Sequence, residues 1–305
     1  AKAGIQSYLL LFQAGILRST TLRSSGILIT IAAVILGGYG TICFLTWLFQ
    51  DKLIFFPFRD YEATPASLGF NFEEVSLSTQ TGDSVYGWYC HTSPEPRIVI
   101  LFLNGNAGNI SHRLERLLMA RQQRADILLV DYPGYGRSTG KPSEDALYAT
   151  AEAAYQYLIA IRGAEADKII LFGESIGSAV ALHLAAQHPV GGIIVESGFT
   201  SIAEVGASHF SWLPVKYLLK YQFPARDLIK EVTCPVVVSH SPLDEVTPFR
   251  MGEELFRMAS EPKKFVTLSG YHNDREFLND SAWLSAMAWL MTEVENRAVK
   301  SPSSH

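Results

Sequence analysis

The chain has 305 residues, of which 48% are hydrophobic and 18% are charged, and its formal net charge is −5. This composition excludes an intrinsically disordered chain, and 23 glycines with 14 prolines are too few for a collagen-like or low-complexity protein. Residues 1–60 hold five basic and two acidic side chains, so the rest of the chain is acidic and offers no electrostatic surface for nucleic acid. Three cysteines are too few for a disulfide scaffold.

Residues 26–50 are predicted to form a transmembrane helix. No charged residue lies between Ser24 and Gln50. A helix over the apolar run Gly26–Phe49 would be roughly 36 Å long, enough to cross a hydrocarbon core of about 30 Å. A buried core helix is the first alternative, but it would normally carry a polar stripe. A cleaved signal peptide is the second, but its apolar region is usually shorter.

The basic residues around this helix predict its orientation. Lys2, Arg18 and Arg23 precede it, whereas Lys52 and Arg59 follow it mixed with acidic residues. The positive-inside rule therefore favours a cytoplasmic N-terminus, with the rest of the chain on the opposite side of the membrane. We assign residues 1–25 to an N-terminal segment and residues 51–69 to a juxtamembrane linker.

From residue 70 to residue 298, apolar runs of strand length alternate with helical patterns. This alternation predicts an α/β domain with a mostly parallel eight-stranded sheet and helices on both faces. The first two strands flank Thr81-Gly82-Asp83 and are predicted to form a hairpin. Residues 199–231 are interpreted as a small cap-like insert, and residues 299–305 are predicted to be a disordered tail. The predicted strands are Phe70–Ser78, Ser84–His91, Arg97–Leu103, Asp126–Val130, Lys168–Phe172, Gly192–Glu196, Pro235–Ser239 and Lys264–Leu268. The predicted helices are Ser111–Gln123, Ser143–Arg162, Ile176–His188, Phe249–Ala259 and Asn279–Asn296.

The strongest chemical motif is Gly173-Glu174-Ser175-Ile176-Gly177. It follows a predicted strand directly and precedes a predicted helix, which is the context of a G-x-S-x-G nucleophile elbow. A side chain at either glycine would collide with neighbouring backbone in so tight a turn. Ser175 is therefore the candidate nucleophile, held in a strained conformation above the sheet.

A serine nucleophile needs a base and an acid, which in this arrangement follow later strands in the order acid, then histidine. His272 comes after the last predicted strand and is the candidate base. Asp244 follows the strand before it and is the candidate acid, with Glu245 as its main competitor. Asp274 is poorly placed to orient His272, and His240 is interpreted as a packing or supporting residue.

Acyl transfer also needs hydrogen-bond donors for the developing oxyanion. We expect them to be the backbone N–H groups of Ile176 and Asn106, the latter in the loop Asn104–Asn109. A Gly/Asn-rich loop of this kind could also bind phosphate, but it lacks the Lys-Ser/Thr of a P-loop. The segment Asp131–Gly136 is interpreted as turn residues that shape the pocket floor.

Several segments together resemble the α/β-hydrolase domain-containing proteins, from about Trp47 to the end of the last helix. The nearest likeness is to the single-pass membrane-anchored branch typified by domain-containing protein 13, and branches 12 and 17, of lysophospholipid lipases and protein depalmitoylases, look more distant. The resemblance implies a serine hydrolase with its triad on Ser175, Asp244 and His272. One departure is Asn104, where the family usually has histidine. The matching segments are WLFQDKLIFFP, LFLNGNAGNISHRL, VDYPGYGRSTGKPSEDALY, LFGESIGSAVALHLA, VESGFTSI and GYHND.

The sequence therefore predicts a membrane-anchored serine hydrolase that cleaves carboxylic esters or thioesters through an acyl-enzyme. Its expected partners are an acylated lipid or acyl-protein substrate and the membrane bilayer, without nucleic acid, metal or organic cofactor. Two alternatives stay open: a serine peptidase or amidase on the same fold, and a non-catalytic membrane interaction module.

Overall fold

Ten strands occur in the computed structural model, which describes residues 2–92, 98–274 and 280–300. Eight of these strands form one sheet in the order β10-β9-β8-β7-β4-β6-β3-β2, while β1 and β5 form a separate two-residue parallel pair. Strands β4 and β6–β10 are mutually parallel, and β2 and β3 are antiparallel. The strands are β1 (Phe56–Pro57), β2 (Asn71–Ser78), β3 (Ser84–His91), β4 (Ile98–Leu103), β5 (Ala107–Gly108), β6 (Ala125–Val130), β7 (Ile169–Glu174), β8 (Gly192–Glu196), β9 (Val236–His240) and β10 (Lys263–Thr267).

The helices largely follow the predicted positions. Residues 199–231, predicted as an insert, contain α5, α6 and α7, and the predicted helix from Ser143 ends in a π-helical turn, Tyr157–Ile161. Residues 299 and 300, predicted as part of the disordered tail, belong to α9 instead. The rest of the predicted tail, residues 301–305, lies outside the described residues, as do Arg97 and Asn279 of the predicted elements. The helices are α1 (Lys2–Ile54), α2 (Glu115–Gln122), α3 (Glu144–Gln156), α4 (Ile176–Gln187), α5 (Ile202–His209), α6 (Val215–Leu218), α7 (Ala225–Glu231), α8 (Phe249–Met258) and α9 (Ser281–Lys300).

The central strands are apolar on both faces because both faces are covered. In β4, Leu101 and Leu103 belong to one hydrophobic core, whereas Ile100 and Phe102 belong to a second core on the other face. All four side chains are fully buried. Continuous apolar runs of this kind are typical of parallel strands between two helical layers, so the predicted α/β architecture is confirmed. The predicted hairpin is confirmed by the antiparallel register of β2 and β3.

The N-terminal helix is one continuous element rather than a segment followed by a separate span. Its Ile27–Ile54 portion is long and apolar enough to cross a membrane, and an 18-residue window within it has a mean hydropathy of 2.2 and contains no buried residue. A signal sequence near an N-terminus passes the same test of length and composition. The chain divides into two compact units, Ala1–Phe49 and Gln50–His305.

The segment that we expected to be a juxtamembrane linker is built into the second unit. Phe56 N–H donates to the carbonyl of Asn106 (2.9 Å), and Phe58 N–H donates to the carbonyl of Gly108 (3.2 Å). Farther along, the Tyr61 hydroxyl donates to Asp131 at 2.7 Å. Because backbone and side-chain hydrogen bonds both fix this stretch, the second unit begins near residue 50 rather than at residue 70.

Candidate active site

Ser175 stands at a strained turn between β7 and α4. Its backbone has a φ of 53° and a ψ of −117°, which is rare for a residue with a side chain. A Cβ on Gly177 would overlap the carbonyl oxygen of Leu103, and one on Gly173 would overlap the carbonyl oxygen of Gly177. The two glycines are therefore required by backbone contacts, as the motif predicted.

The serine hydroxyl lies within hydrogen-bond distance of a histidine. His272 follows β10, and its Nε2 is 3.1 Å from Ser175 Oγ. β7, which precedes Ser175, and β10, which precedes His272, end at the same edge of the parallel sheet. This brings together two residues that are 97 positions apart in sequence. An unprotonated Nε2 at this position can accept the hydroxyl proton.

Asp244 lies on the other side of the same imidazole ring. Its Oδ2 is 2.7 Å from His272 Nδ1, and its side chain is fully buried. Burial alone would raise the pKa of Asp244, but hydrogen bonds from His240 and His272 and from the backbone N–H of Thr247 outweigh it, and the pKa lies well below the ordinary value. The carboxylate is therefore ionised and accepts the Nδ1 proton, which leaves Nε2 as the acceptor toward Ser175.

Of the candidate carboxylates, Asp244 contacts the His272 imidazole, whereas Glu245 and Asp274 accept backbone N–H groups instead. Glu245 accepts the backbone N–H of His272 at 3.0 Å, so it holds the loop. Asp274 accepts the backbone N–H of Tyr271 at 2.8 Å. His240 Nε2 donates to the carbonyl of Thr247 (2.8 Å) and lies 3.3 Å from Asp244 Oδ2, from a fully buried position.

Thr247 is a supporting residue that sequence reasoning did not identify. Its backbone N–H donates to Asp244 Oδ1 at 2.7 Å, and its hydroxyl lies 2.9 Å from Asp244 Oδ2. Val246 N–H also donates to Asp244 Oδ1, at 2.9 Å. An aspartate that accepts N–H groups two and three residues ahead forms an Asx-type turn, and this turn fixes the carboxylate. The sequence signal was weak, because a single Asp before a polar residue is common in loops.

Ile176 directly follows Ser175, and the loop that contains Asn106 lies against it. Ile176 is the first residue of α4, so its N–H has no acceptor within the helix. A Cβ added to Gly105 would lie 3.6 Å from the Cβ of Ser175, which places the loop of Asn106 against the nucleophile. Asn106 is itself held by its carbonyl, which accepts from the Tyr135 hydroxyl at 2.6 Å, and by its side chain, which donates to the carbonyl of Ile54 at 2.8 Å.

Asn104, the departure from the family pattern, is used structurally. Its Nδ2 donates to the carbonyl of Val130 at 2.9 Å, and its own carbonyl accepts from the Tyr132 hydroxyl at 3.1 Å. The residue is buried, and these bonds connect the end of β4 to the end of β6. The side chain thus anchors the loop Asn104–Asn109, called the oxyanion loop below for its expected role, to the end of β6.

A buried ion network lies directly behind the nucleophile, and the sequence did not reveal it. Glu174 accepts hydrogen bonds from Arg113 (2.9 Å) and Arg116 (3.0 Å), and Arg116 also pairs with Glu196. Burial lowers the pKa of Arg116, but the negative charges of Glu196 and Glu174 raise it by more than burial lowers it. The net pKa is above its ordinary value, so the guanidinium stays charged. The backbone carbonyl of Glu196 accepts the N–H of Ser175 at 2.8 Å, which connects this network to the elbow. Removing one member would leave a buried charge unpaired.

Across residues 2–92, 98–274 and 280–300, no three His, Cys, Asp or Glu side chains are arranged to hold a metal ion. The arrangement around Ser175 can perform proton transfer and nucleophilic attack with the chain's own groups. Independence from metals and organic cofactors stays a prediction.

Comparison with known proteins gives consistent similarities. Residues 98–226 match the sequence model of a family described by the alpha/beta hydrolase fold. An uncharacterised protein of Mycobacterium tuberculosis is 38% identical over 86% of this chain and 94% of its own length. The alpha/beta hydrolase domain-containing protein WAV2 of Arabidopsis thaliana is 30% identical over 85% of this chain and 91% of its own. Among solved structures, the esterase Pf2001 of Pyrococcus furiosus has a TM-score of 0.66 and covers 78% of this chain and 98% of its own; at 16% identity this likeness concerns the fold alone.

Proposed function

We propose that this chain, which belongs to the α/β-hydrolase domain-containing proteins, is a membrane-anchored serine hydrolase of acyl esters or thioesters. The family and the fold predicted from the sequence are confirmed, and they support a hydrolase. The placement in the branch of domain-containing protein 13 stays a prediction. The serine mechanism, the bond cleaved and the membrane anchor are parts of the proposal.

One observation carries the mechanism: the hydrogen-bonded chain from Ser175 to His272 to Asp244. Ser175 Oγ attacks the acyl carbonyl while His272 Nε2 takes its proton, and Asp244 stabilises the imidazolium. The backbone N–H groups of Ile176 and Asn106 stabilise the oxyanion. The leaving group departs with the proton from His272, and water activated by the same ring then releases the acyl group from Ser175.

The apolar helix supports the membrane part of the proposal. A span over Ile27–Ile54 would hold the site at a bilayer surface, where acylated lipids and S-acylated proteins are concentrated. Tethering raises the local concentration of such substrates without adding any contact in the pocket. A cytoplasmic N-terminus, with the hydrolase unit on the far side, follows from the charge distribution before the helix.

The test compares purified full-length protein with Ser175→Ala on matched substrates. We expect wild type to hydrolyse short p-nitrophenyl esters and the corresponding thioesters, and the variant to lose at least about 10³-fold in kcat. Ser67→Ala is the control, because Ser67 is an exposed serine in a surface turn. Undiminished turnover by Ser175→Ala would contradict the mechanism, and faster cleavage of p-nitroanilides than of esters would favour an amidase.

A further inference from the structure

The second unit exposes large apolar side chains at one edge of its sheet. We call this set the apolar rim. Tyr217 is 85% exposed, and Trp212 is 55% exposed. Solitary exposed apolar residues are common on protein surfaces, but a group of aromatic residues around one site indicates an interaction surface. The members of the apolar rim are Phe56, Phe58, Phe210, Trp212, Tyr217, Leu243 and Tyr271.

The apolar rim surrounds the proposed catalytic groups. Leu243 and Tyr271 are the residues directly before Asp244 and His272. Phe56 is paired with Ala107, which follows Asn106 in the oxyanion loop. Leu243 and Tyr271 follow the carboxyl ends of β9 and β10, and Ala107 follows that of β4, so these positions lie at the edge at which ligands bind in such sheets.

The insert adds its aromatic side chains to the same edge. His209, at the end of α5, lies with its Nε2 2.8 Å from the carbonyl of Val246, in the loop that carries Asp244. Phe210 and Trp212 follow closely after His209, so they are held beside this loop. The insert therefore continues the apolar rim rather than covering a separate surface.

The last turn of α1 joins this edge as well. The Gln50 side chain donates to the carbonyl of Leu218 (3.3 Å) and accepts the N–H of Lys220 (2.7 Å). Asn106 donates to the carbonyl of Ile54. The apolar stretch that is long enough to cross a membrane thus ends among the residues of the apolar rim. Its last turn contacts Leu218, the residue after Tyr217.

Because the helix ends among these residues, we propose that the apolar rim lies in the headgroup layer of the bilayer that holds the helix. The entrance to the proposed active site would then open toward lipid. Aromatic rings favour this layer, and the exposed Lys216 and Lys220 flank Tyr217 with positive charge for lipid phosphates. The inference rests on the proposed function and defines its substrate class: long acyl chains that enter the site from the membrane without crossing water.

A matched control position lies at the opposite end of the fold. Ile161 is 71% exposed, and it ends the helical segment that leads into the start of β7. It therefore lies toward the amino edge of the sheet, away from Ser175. Ile161 is thus as exposed as the residues of the apolar rim but lies far from them, which makes it a suitable control.

The experiment places an environment-sensitive fluorophore on Tyr217→Cys or Ile161→Cys in the full chain with Cys43→Ala. The remaining thiols, Cys90 and Cys234, are buried, and burial raises the pKa of Cys234 to about 12, so they should resist labelling. The protein is reconstituted in phosphatidylcholine–phosphatidylserine vesicles that carry a nitroxide near the ester end of the acyl chain. We expect blue-shifted emission and loss of most of its intensity for the label at Tyr217, with neither change at Ile161.

Equal responses at the two positions, or quenching of the Tyr217 label by aqueous iodide alone, would overturn the proposal. A second measurement uses Trp212→Ser with Tyr217→Ser. The ratio of turnover of a vesicle-embedded long-chain ester to that of a soluble short-chain ester should fall about tenfold, because apolar area that held the entrance in lipid is lost. An unchanged ratio, matching that of Ile161→Ser, would contradict it. The labelling does not need catalysis, so its failure is distinct from retained activity in Ser175→Ala.

Discussion

At the scale of single residues, the chemistry depends on how Asp244 is held. The carboxylate is buried and receives hydrogen bonds from the backbone of Val246 and Thr247 as well as from His272. These groups hold it ionised and fix its direction, so the imidazole presents Nε2 to Ser175. The sequence identified Asp244 and His272 by their positions after strands. It left Glu245 open as a competitor, because adjacent loop carboxylates cannot be ranked without the turn geometry that selects one of them.

Asp244→Asn tests this orientation directly. The amide can donate to His272 Nδ1 and so favours the wrong tautomer, and we expect kcat to fall by about 10³–10⁴-fold with the fold preserved. Glu245→Gln is the matched control, because its amide oxygen can still accept the backbone N–H of His272, and its loss should stay below about tenfold. The measurement is steady-state ester hydrolysis. Similar losses in both variants would argue against Asp244 as the orienting acid.

The pH dependence of ester hydrolysis should also reflect Asp244 and His272. Because the pKa of Asp244 lies well below its ordinary value, protonation of this carboxyl does not limit activity in mildly acidic solution. The base must be unprotonated to accept the Ser175 proton, so kcat/KM should decrease in acid even though Asp244 stays ionised. A pH–rate profile of the soluble ester between about pH 8 and about pH 5 checks this. A flat profile would count against His272 as the base.

At the scale of elements, the short strand β1 is the feature that sequence periodicity could not predict. Two residues are too few for any alternation, so the sequence predicts only a linker at Phe56–Pro57. The structure pairs them with the oxyanion loop through the Phe56 N–H and the Asn106 carbonyl. The long buried strands were predictable, because an unbroken apolar run of strand length between turn residues is typical of a strand covered on both faces.

The pairing of β1 with β5 predicts a backbone effect on catalysis. Phe56→Pro removes the N–H that donates to Asn106, whereas Phe56→Ala keeps it and removes the same exposed ring. We expect the proline variant to lose about tenfold in kcat on a soluble ester relative to the alanine variant, as the oxyanion loop loosens. The two variants are compared at matched folded content by circular dichroism. Equal kcat values would show that β1 does not position the loop.

At the scale of the whole molecule, a buried carboxyl at the end of β6 links stability to pH. Burial raises the pKa of Asp131 to about 7, although hydrogen bonds from Tyr61 and the backbone of Ile110 and the charge of Arg113 act in the opposite direction. The folded state then binds more protons than the unfolded state between pH about 4 and pH about 7. The sequence interpretation of this segment as a structural turn agrees with these contacts, but burial of the carboxyl could not be predicted from composition.

The free energy of unfolding should therefore fall as pH rises through that window, by about 4 kcal/mol from this group, and then level off. Asp131→Asn removes the ionisation while it keeps an oxygen for the N–H of Ile110. Urea unfolding in detergent at several pH values measures the difference between the two proteins. If the free energy of unfolding of the variant and of the wild type changed in parallel between pH about 4 and pH about 7, Asp131 would not link stability to pH.

Family, fold and the positions of the proposed site residues followed from local motifs, since each motif lies where a strand meets a turn. The buried pairing of Arg116 with Glu174 and Glu196 did not, because charged residues far apart in sequence give no sign of meeting in a core. The same holds for the attachment of residues 50–61 to the hydrolase unit. Both features arise from tertiary contacts: the ion network is connected to the elbow through the Glu196 carbonyl, and residues 50–61 contact the loop that contains Asn106.

The most direct measurement of the central claim is the site of covalent labelling by a fluorophosphonate. Full-length protein in detergent is labelled, digested and analysed by peptide mass spectrometry. If Ser175 is the nucleophile activated by His272, the adduct forms on Ser175, and both Ser175→Ala and His272→Ala prevent it. An adduct on another residue, or undiminished labelling in Ser175→Ala, would contradict the account.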